Sequence, residues 1–261
     1  MLTPDLLGRL ADDAGLGAAQ LHLQRLDRPA AGFARDDGRW IYPASMIKLP
    51  LAAVVGAAID AGHLTWETPV RIAAENLTAN DTPSPLEPGY VSTVEELVTL
   101  MLQRSDNVAT NELFDVLDRH RATATAHRLG FGQTFFRRKL SGALPLIDDP
   151  HADGRNSFPA AEALAFFVAL DARALPQSEL LRGILATSWW DVKLHRGLEP
   201  GDTFAHKTGD TDEVAHDGGI LTLATGSRWA IAVYTELPSS DESDERFGAF
   251  MRGLRPILAG A

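Results

Sequence analysis

The chain has 261 residues and a net charge of −11, from 24 basic against 35 acidic side chains. That length can bury enough surface for a packed enzyme core of one or two domains, while the acidic balance argues against nucleic acid or an anionic membrane surface, each of which calls for a concentrated basic face. Cysteine is absent, which excludes disulfides, thiolate nucleophiles and cysteine-ligated zinc.

The first residues carry early acids and no apolar core of signal-peptide length, and no run of 18 apolar residues predicts a transmembrane helix. The chain therefore reads as soluble and cytoplasmic as written, or periplasmic or secreted if a leader is trimmed. Thr3-Pro4 ahead of Leu6, Leu7 and Leu10 predicts a capped helix with proline at its first position. Ala19, Leu21 and Leu23 alternate with polar residues as a strand does. After the turn at Asp36-Asp37-Gly38, Arg39 to Tyr42 is expected to return as a second strand.

From Ala44 to about Gly62 the pattern is helical and apolar nearly all round, which places this helix inside the protein. Pro50 requires the helix to start at Ser45 or just before it. Residues 76–92 read as a long loop. Thr93 with Glu96 forms a capping-box pattern ahead of Val94, Leu97, Val98, Met101 and Leu102 at helical spacing. Another helix follows Asn107 as far as Leu117, residues 137–158 are irregular and polar, and Ala160 to Leu170 and Leu180 to Leu185 are helical.

Beyond Pro200 the pattern changes to strands at 203–209, 218–225 and 228–236, with Thr225-Gly226-Ser227 as a hairpin turn. Phe247, Phe250, Met251 and Leu254 mark a closing helix. The expected fold is α/β (α+β): a mixed, mainly antiparallel sheet built from both termini, flanking helices, and an inserted all-helical domain. Residues 1–42 and 189–261 would form the sheet domain and 43–188 the insertion, with an active site between them.

Three short motifs carry chemistry. In Ser45-Met46-Ile47-Lys48, residues three apart share a helix face, so the hydroxyl and the amine can meet. Burial on so apolar a helix lowers a lysine pKa and lets the neutral amine take a serine proton. Taken singly, Ser45 also reads as a cap with a snorkelling lysine. Ser105-Asp106-Asn107 reads as a helix cap, and Lys207-Thr208-Gly209 as a solvated strand end with a turn glycine. Only four lysines occur in the chain, Lys48, Lys139, Lys193 and Lys207, and two of them fall in these motifs.

In this order, S-x-x-K, S-D-N and K-T-G resemble the pattern of class A β-lactamases and penicillin-binding proteins, class A-like chains most of all. The resemblance covers nearly the whole chain, and the separations between the motifs match it. It implies Ser45 as the acylated nucleophile, Lys48 as its activating amine, and Ser105 as the proton shuttle to the leaving nitrogen. Asn107 would hydrogen-bond the substrate's amide side chain, Lys207 would supply positive potential, and Thr208 would bind a substrate carboxylate. The backbone N–H groups of Ser45 and Asp210, which follows Gly209, would form the oxyanion hole. His216 would help to hold the carboxylate, or else serve only as a strand histidine.

Class A β-lactamases carry a deacylating glutamate in an E-x-x-L-N pattern, and the matching stretch here, Phe136 to Leu144, holds no acid. Counting from Ser105 puts Ser141 near the glutamate's place. Asp148, Asp149 and Asp153 follow at the wrong spacing and read as a solvated loop, after which Arg155-Asn156 rejoins the pattern. Acylation without efficient deacylation is the expectation, and loss of a positioned base typically costs about two to four orders of magnitude. The expected activity is that of a weak or atypical β-lactamase. The alternatives are a D-Ala-D-Ala-type peptidase or amidase and a non-catalytic penicillin-binding sensor. The partner called for is a small amide, β-lactam or peptide, acted on by a monomer, with no metal or organic cofactor.

Overall fold

The computed structural model describes residues 2–28 and 32–260. Helix α1 (Pro4–Asp13) starts as its sequence dictates, with Leu6 N donating to Thr3 Oγ1 at 3.2 Å. Strand β1 (Gln20–Arg25) follows. The strand that returns beside it is β2 (Phe33–Arg35), not residues 39–42. The physical reason lies in what the later segment does: Arg39 O accepts from the Gln20 side chain and Tyr42 O from the His216 ring, so neither carbonyl joins a ladder.

Ala44–Ile47 form a tight 3-10 turn, and α2 (Lys48–Asp60) continues from it with Pro50 in its first turn, where the missing N–H costs nothing. Nine consecutive residues of α2, Lys48 to Gly56, are buried, as expected for a helix apolar all round. A two-stranded ribbon, β3 (Pro69–Arg71) and β4 (Val91–Thr93), closes the ends of the predicted loop.

Helix α3 (Val94–Gln103) is capped by Thr93, whose Oγ1 accepts from Glu96 N. The Glu96 carboxylate turns to Ser92 Oγ at 2.7 Å instead of completing the box. Helices α4 (Asn107–Leu117) and α5 (Arg119–Arg128) follow, then α6 (Ala160–Asp171) and α7 (Ser178–Leu185). A 3-10 turn at Lys193–Gly197 leads into β5 (Thr203–Asp210), β6 (Ala215–Thr222) and β7 (Arg228–Thr235), and α8 (Asp241–Ala259) closes the chain.

The five strands form one antiparallel sheet in the order β2-β1-β7-β6-β5. Strand alternation divides the core. Trp229, Ile231 and Val233 join α1 and α8 on one face, while Ala230, Ala232 and Tyr234 pack towards the buried helices on the other. Strand β6 begins three residues earlier than the hydrophobic pattern suggests, because its polar start is satisfied inside the protein: His206 Nδ1 meets Asp217 Oδ1 at 2.9 Å, and His216 Nε2 meets Tyr42 O. Among the described residues no helix is long and apolar enough to cross a membrane.

Candidate active site

The first wall of the site is the turn that carries Ser45. Ala44 stands at φ 46° and Ser105 at φ 60°, left-handed conformations that cost a non-glycine residue about 1–3 kcal/mol each and persist where the surroundings enforce them. Both flank the same cluster. Ser45 is partly exposed, and the Lys48 beneath it is fully buried.

Lys48 Nζ lies 3.0 Å from Ser45 Oγ, 2.5 Å from Ser105 O, 3.1 Å from Ser105 Oγ and 2.8 Å from Asn107 Oδ1. None of these four partners is a carboxylate. Burial holds the Lys48 amine well below the ordinary lysine range, and the positive charge of Lys207 pushes it the same way. A neutral amine has two hydrogens and one lone pair. In that neutral form, donation to Ser105 O and Asn107 Oδ1 would leave the lone pair for the Ser45 hydroxyl.

The second wall is the α3–α4 junction. Asp106, not Ser105, caps α4, accepting from Ala109 N at 2.9 Å, so the Ser105 hydroxyl is free for other partners. It sits between the two lysines, 2.9 Å from Lys207 Nζ and 3.1 Å from Lys48 Nζ. Asn107 is held by the predicted loop, its N–H donating to Asn80 Oδ1 at 2.5 Å and its Nδ2 to Ala79 O at 3.1 Å. One Nδ2 hydrogen remains for a ligand.

Strand β5 supplies the third wall. Lys207 is fully buried and its Nζ also donates to Thr208 O at 2.7 Å. Desolvation pulls its pKa down to about 8, against the opposing pull of Asp210. Gly209 is where the strand meets the turn that carries Ser45: a Cβ there would stand 3.0 Å from Pro43 O and from Met46 Cγ. A side chain there would crowd that approach.

His216 is not brought to the cluster as a free ligand. It is buried, its Nε2 donates to Tyr42 O at 2.7 Å, and its Nδ1 accepts from Thr235 N at 3.2 Å. Both nitrogens are engaged, and burial pushes its pKa down to about 4, so the ring is neutral near pH 7. Its face stacks on Tyr234 at 4.2 Å.

The segment expected to carry a deacylating acid is pinned from three sides. Asn156 Oδ1 accepts from Arg137 N at 2.7 Å and Arg138 N at 3.1 Å. Asn111, one turn beyond Asn107 on α4, bonds both backbone groups of Leu140. At Gly142 a Cβ would run into Ala79 O, the carbonyl that also holds Asn107. Ser141 spends its hydroxyl within the loop, accepting from Ile147 N at 2.9 Å. Asp149 is not solvated: its side chain is 2% exposed and paired with Arg119.

The sequence reading missed Asn111 and Lys193. Asn111 carried a signal, since it repeats the Asn107 face at helical spacing. Lys193 carried one in the scarcity of lysine: its Nζ lies 2.7 and 2.8 Å from the two Asp210 oxygens. Among the described residues no group of three or more His, Cys, Asp or Glu is placed to hold a metal ion.

An antiparallel sheet backed by a buried helix whose serine and lysine meet at its start is the architecture of the β-lactamase/transpeptidase fold. The chain belongs to the β-lactamase enzyme family, whose model matches residues 6–250. No curated protein is matched. Among solved structures, a β-lactamase from Sphaerobacter thermophilus is similar at 23% identity, over 100% of this chain and 99% of that one, with a TM-score of 0.83. A leucine-to-glutamate variant of PBP-A in an acyl-enzyme complex with penicillin G is similar at 22% identity, over 98% and 97% of the two chains, with a TM-score of 0.82. A variant of the class A β-lactamase of the last common ancestor of Gram-negative bacteria aligns at 23% identity over 97% of each chain, with a TM-score of 0.80.

Proposed function

We propose that the protein is a serine acyl-hydrolase that forms an acyl-enzyme on Ser45 with β-lactams or related amides and releases the acyl group slowly. The observation that carries this reading is the unbroken relay Ser45–Lys48–Ser105–Lys207, with every step at 3.1 Å or less. Ser45 Oγ attacks the amide carbonyl while neutral Lys48 takes its proton. Ser105 passes a proton to the leaving nitrogen, and Lys207 stabilises the developing charge beside Ser105 and Thr208. The N–H groups of Ser45 and Asp210 receive the oxyanion. The cleft lies between the sheet unit, residues 1–42 and 189–261, and the helical unit, residues 43–188.

Slow release follows from the neutral surroundings of Lys48 and from Leu140 in the segment where a base is expected. The same absence favours a second reading, a peptidase or amidase on D-Ala-D-Ala-like substrates, in which Lys48 itself serves both half-reactions.

Time-resolved intact mass spectrometry with a penicillin and a cephalosporin tests the proposal. A persistent adduct of one drug mass, absent in Ser45→Ala, is expected. No adduct with either drug would remove β-lactams as substrates, and an adduct retained in Ser45→Ala would remove Ser45 as nucleophile. Release of D-alanine from a peptide would favour the second reading.

A further inference from the structure

Lys193 is 2% exposed, yet it stands at φ 53° at the head of its 3-10 turn, a left-handed conformation unfavourable for a side chain of its size. Burying its ammonium is costly unless it is closely paired. The pairing is close: besides both oxygens of Asp210, Nζ reaches Asp244 Oδ1 at 3.4 Å, and Arg196 takes Asp244 Oδ2 at 3.3 Å. Asp210 directly follows Lys207-Thr208-Gly209, and its side chain keeps 22% of its surface exposed. It ends β5 opposite Ala215, so it also anchors the strand that carries Lys207 and Thr208.

The charges of Asp210 and Lys193 both reach Lys207, in opposite directions. Without its partner, the Asp210 carboxylate would set a negative charge at the end of the cleft where Thr208 is expected to receive a substrate anion.

We propose that Lys193 is a positioning residue that sets specificity: by holding and neutralising Asp210 it keeps the Thr208 end of the cleft open to substrates bearing a carboxylate. The inference rests on the acyl-transfer reading above. Lys193 acts through Asp210, and removing it penalises anionic substrates while sparing neutral ones of the same shape.

The test compares acylation of Ser45 by two matched pairs: penicillin G against its methyl ester, and a p-nitrophenyl ester with and without a carboxylate. In Lys193→Met the anionic-to-neutral ratio of acylation rate constants is expected to fall about tenfold or more, the size expected for an uncompensated charge near the site. Lys193→Met combined with Asp210→Asn should recover most of that ratio. Asp210→Asn alone, which keeps the buried lysine if the first variant folds poorly, should raise it severalfold.

Equal loss of anionic and neutral substrates in a folded Lys193→Met, or a lower ratio in Asp210→Asn, would overturn the inference. Acylation by the esters but not the penicillins discards the β-lactam substrate and leaves the charge comparison readable. No acylation of the wild-type protein by any of the four would overturn the acyl-transfer reading and this inference with it.

Discussion

Asn111 grips Leu140 by both ends of its peptide unit, its Nδ2 donating to Leu140 O at 2.9 Å and its Oδ1 accepting from Leu140 N at 2.8 Å. Asn111 lies one helical turn from Asn107, whose Oδ1 is 2.8 Å from Lys48 Nζ, so one face of α4 holds both the Lys48 amine and the Leu140 backbone. Leu140 is 6% exposed and presents no proton acceptor.

Leu140→Glu should therefore speed deacylation. A carboxyl at this fixed, sheltered position would have its pKa raised by burial towards the range in which it can act as a general base. The expected gain is at least tenfold in the release rate of a penicilloyl adduct, read as the decay of the adduct mass, with acylation little changed. An adduct equally long-lived in the variant would show that a carboxyl at position 140, next to the Ser141 that counting from Ser105 puts near the glutamate's place, does not serve as the base.

Gly209→Ala tests the contact between β5 and the Ser45 turn. The added methyl would meet Pro43 O and Met46 Cγ at 3.0 Å, closer than ordinary van der Waals contact. Relief requires the 43–46 turn or β5 to give by a few tenths of an ångström, a shift that would pass to Ser45 between them. Sub-ångström displacements of this kind weaken a positioned nucleophile severely, so acylation should slow by about tenfold or more with the thermal midpoint lowered only slightly. Unchanged acylation would mean the turn can shift without consequence.

How far these features were legible in the sequence depended on whether they were local. The capped start of α1, the buried run of α2 and the helical face of α3 follow from spacing and cap chemistry within a few residues, and the structure has them where the pattern put them. Helix α5 escaped because only Ala122 and Ala126 of its ten residues are buried, too little to mark a periodic stripe. The start of β6 escaped because His216 and Asp217 break an apolar alternation that long-range partners restore. Ser45, Lys48, Ser105 and Lys207 were found as motifs and the structure brings them together. The grip of Asn111 on Leu140 and of Lys193 on Asp210 joins residues 29 and 17 apart in the chain, which no local pattern records.

The two lysines predict a pH profile. In the proposed reaction Lys48 takes the Ser45 proton as a neutral amine, the form that burial and the charge of Lys207 both favour. In the same reaction Lys207 acts as a cation, and it loses its proton as pH rises through about 8. The acylation rate constant for penicillin G should thus fall on the alkaline side of about 8. For the methyl ester, which presents no carboxylate to Lys207, the alkaline fall should be shallower. A penicillin G profile flat to pH 10 would separate Lys207 from anion binding.

His216 predicts a stability change in a different window. Its folded pKa of about 4 lies below the ordinary 6.5 because burial disfavours the imidazolium, so below 6.5 the unfolded chain takes up a proton that the folded protein refuses. The stabilisation is complete above about pH 6.5 and is lost progressively as pH falls towards 4, by about 3 kcal/mol over that range, since each pKa unit is worth about 1.4 kcal/mol. Urea unfolding between pH 7.5 and 4.5 should show this decline while carboxylates such as Asp27, held near 2 by Arg25, remain ionised. In His216→Gln, which keeps a donor for Tyr42 O without a titrating group, most of the slope should vanish even if the variant is less stable throughout. An undiminished slope in that variant would assign the pH dependence to other groups and leave His216 with a packing role alone.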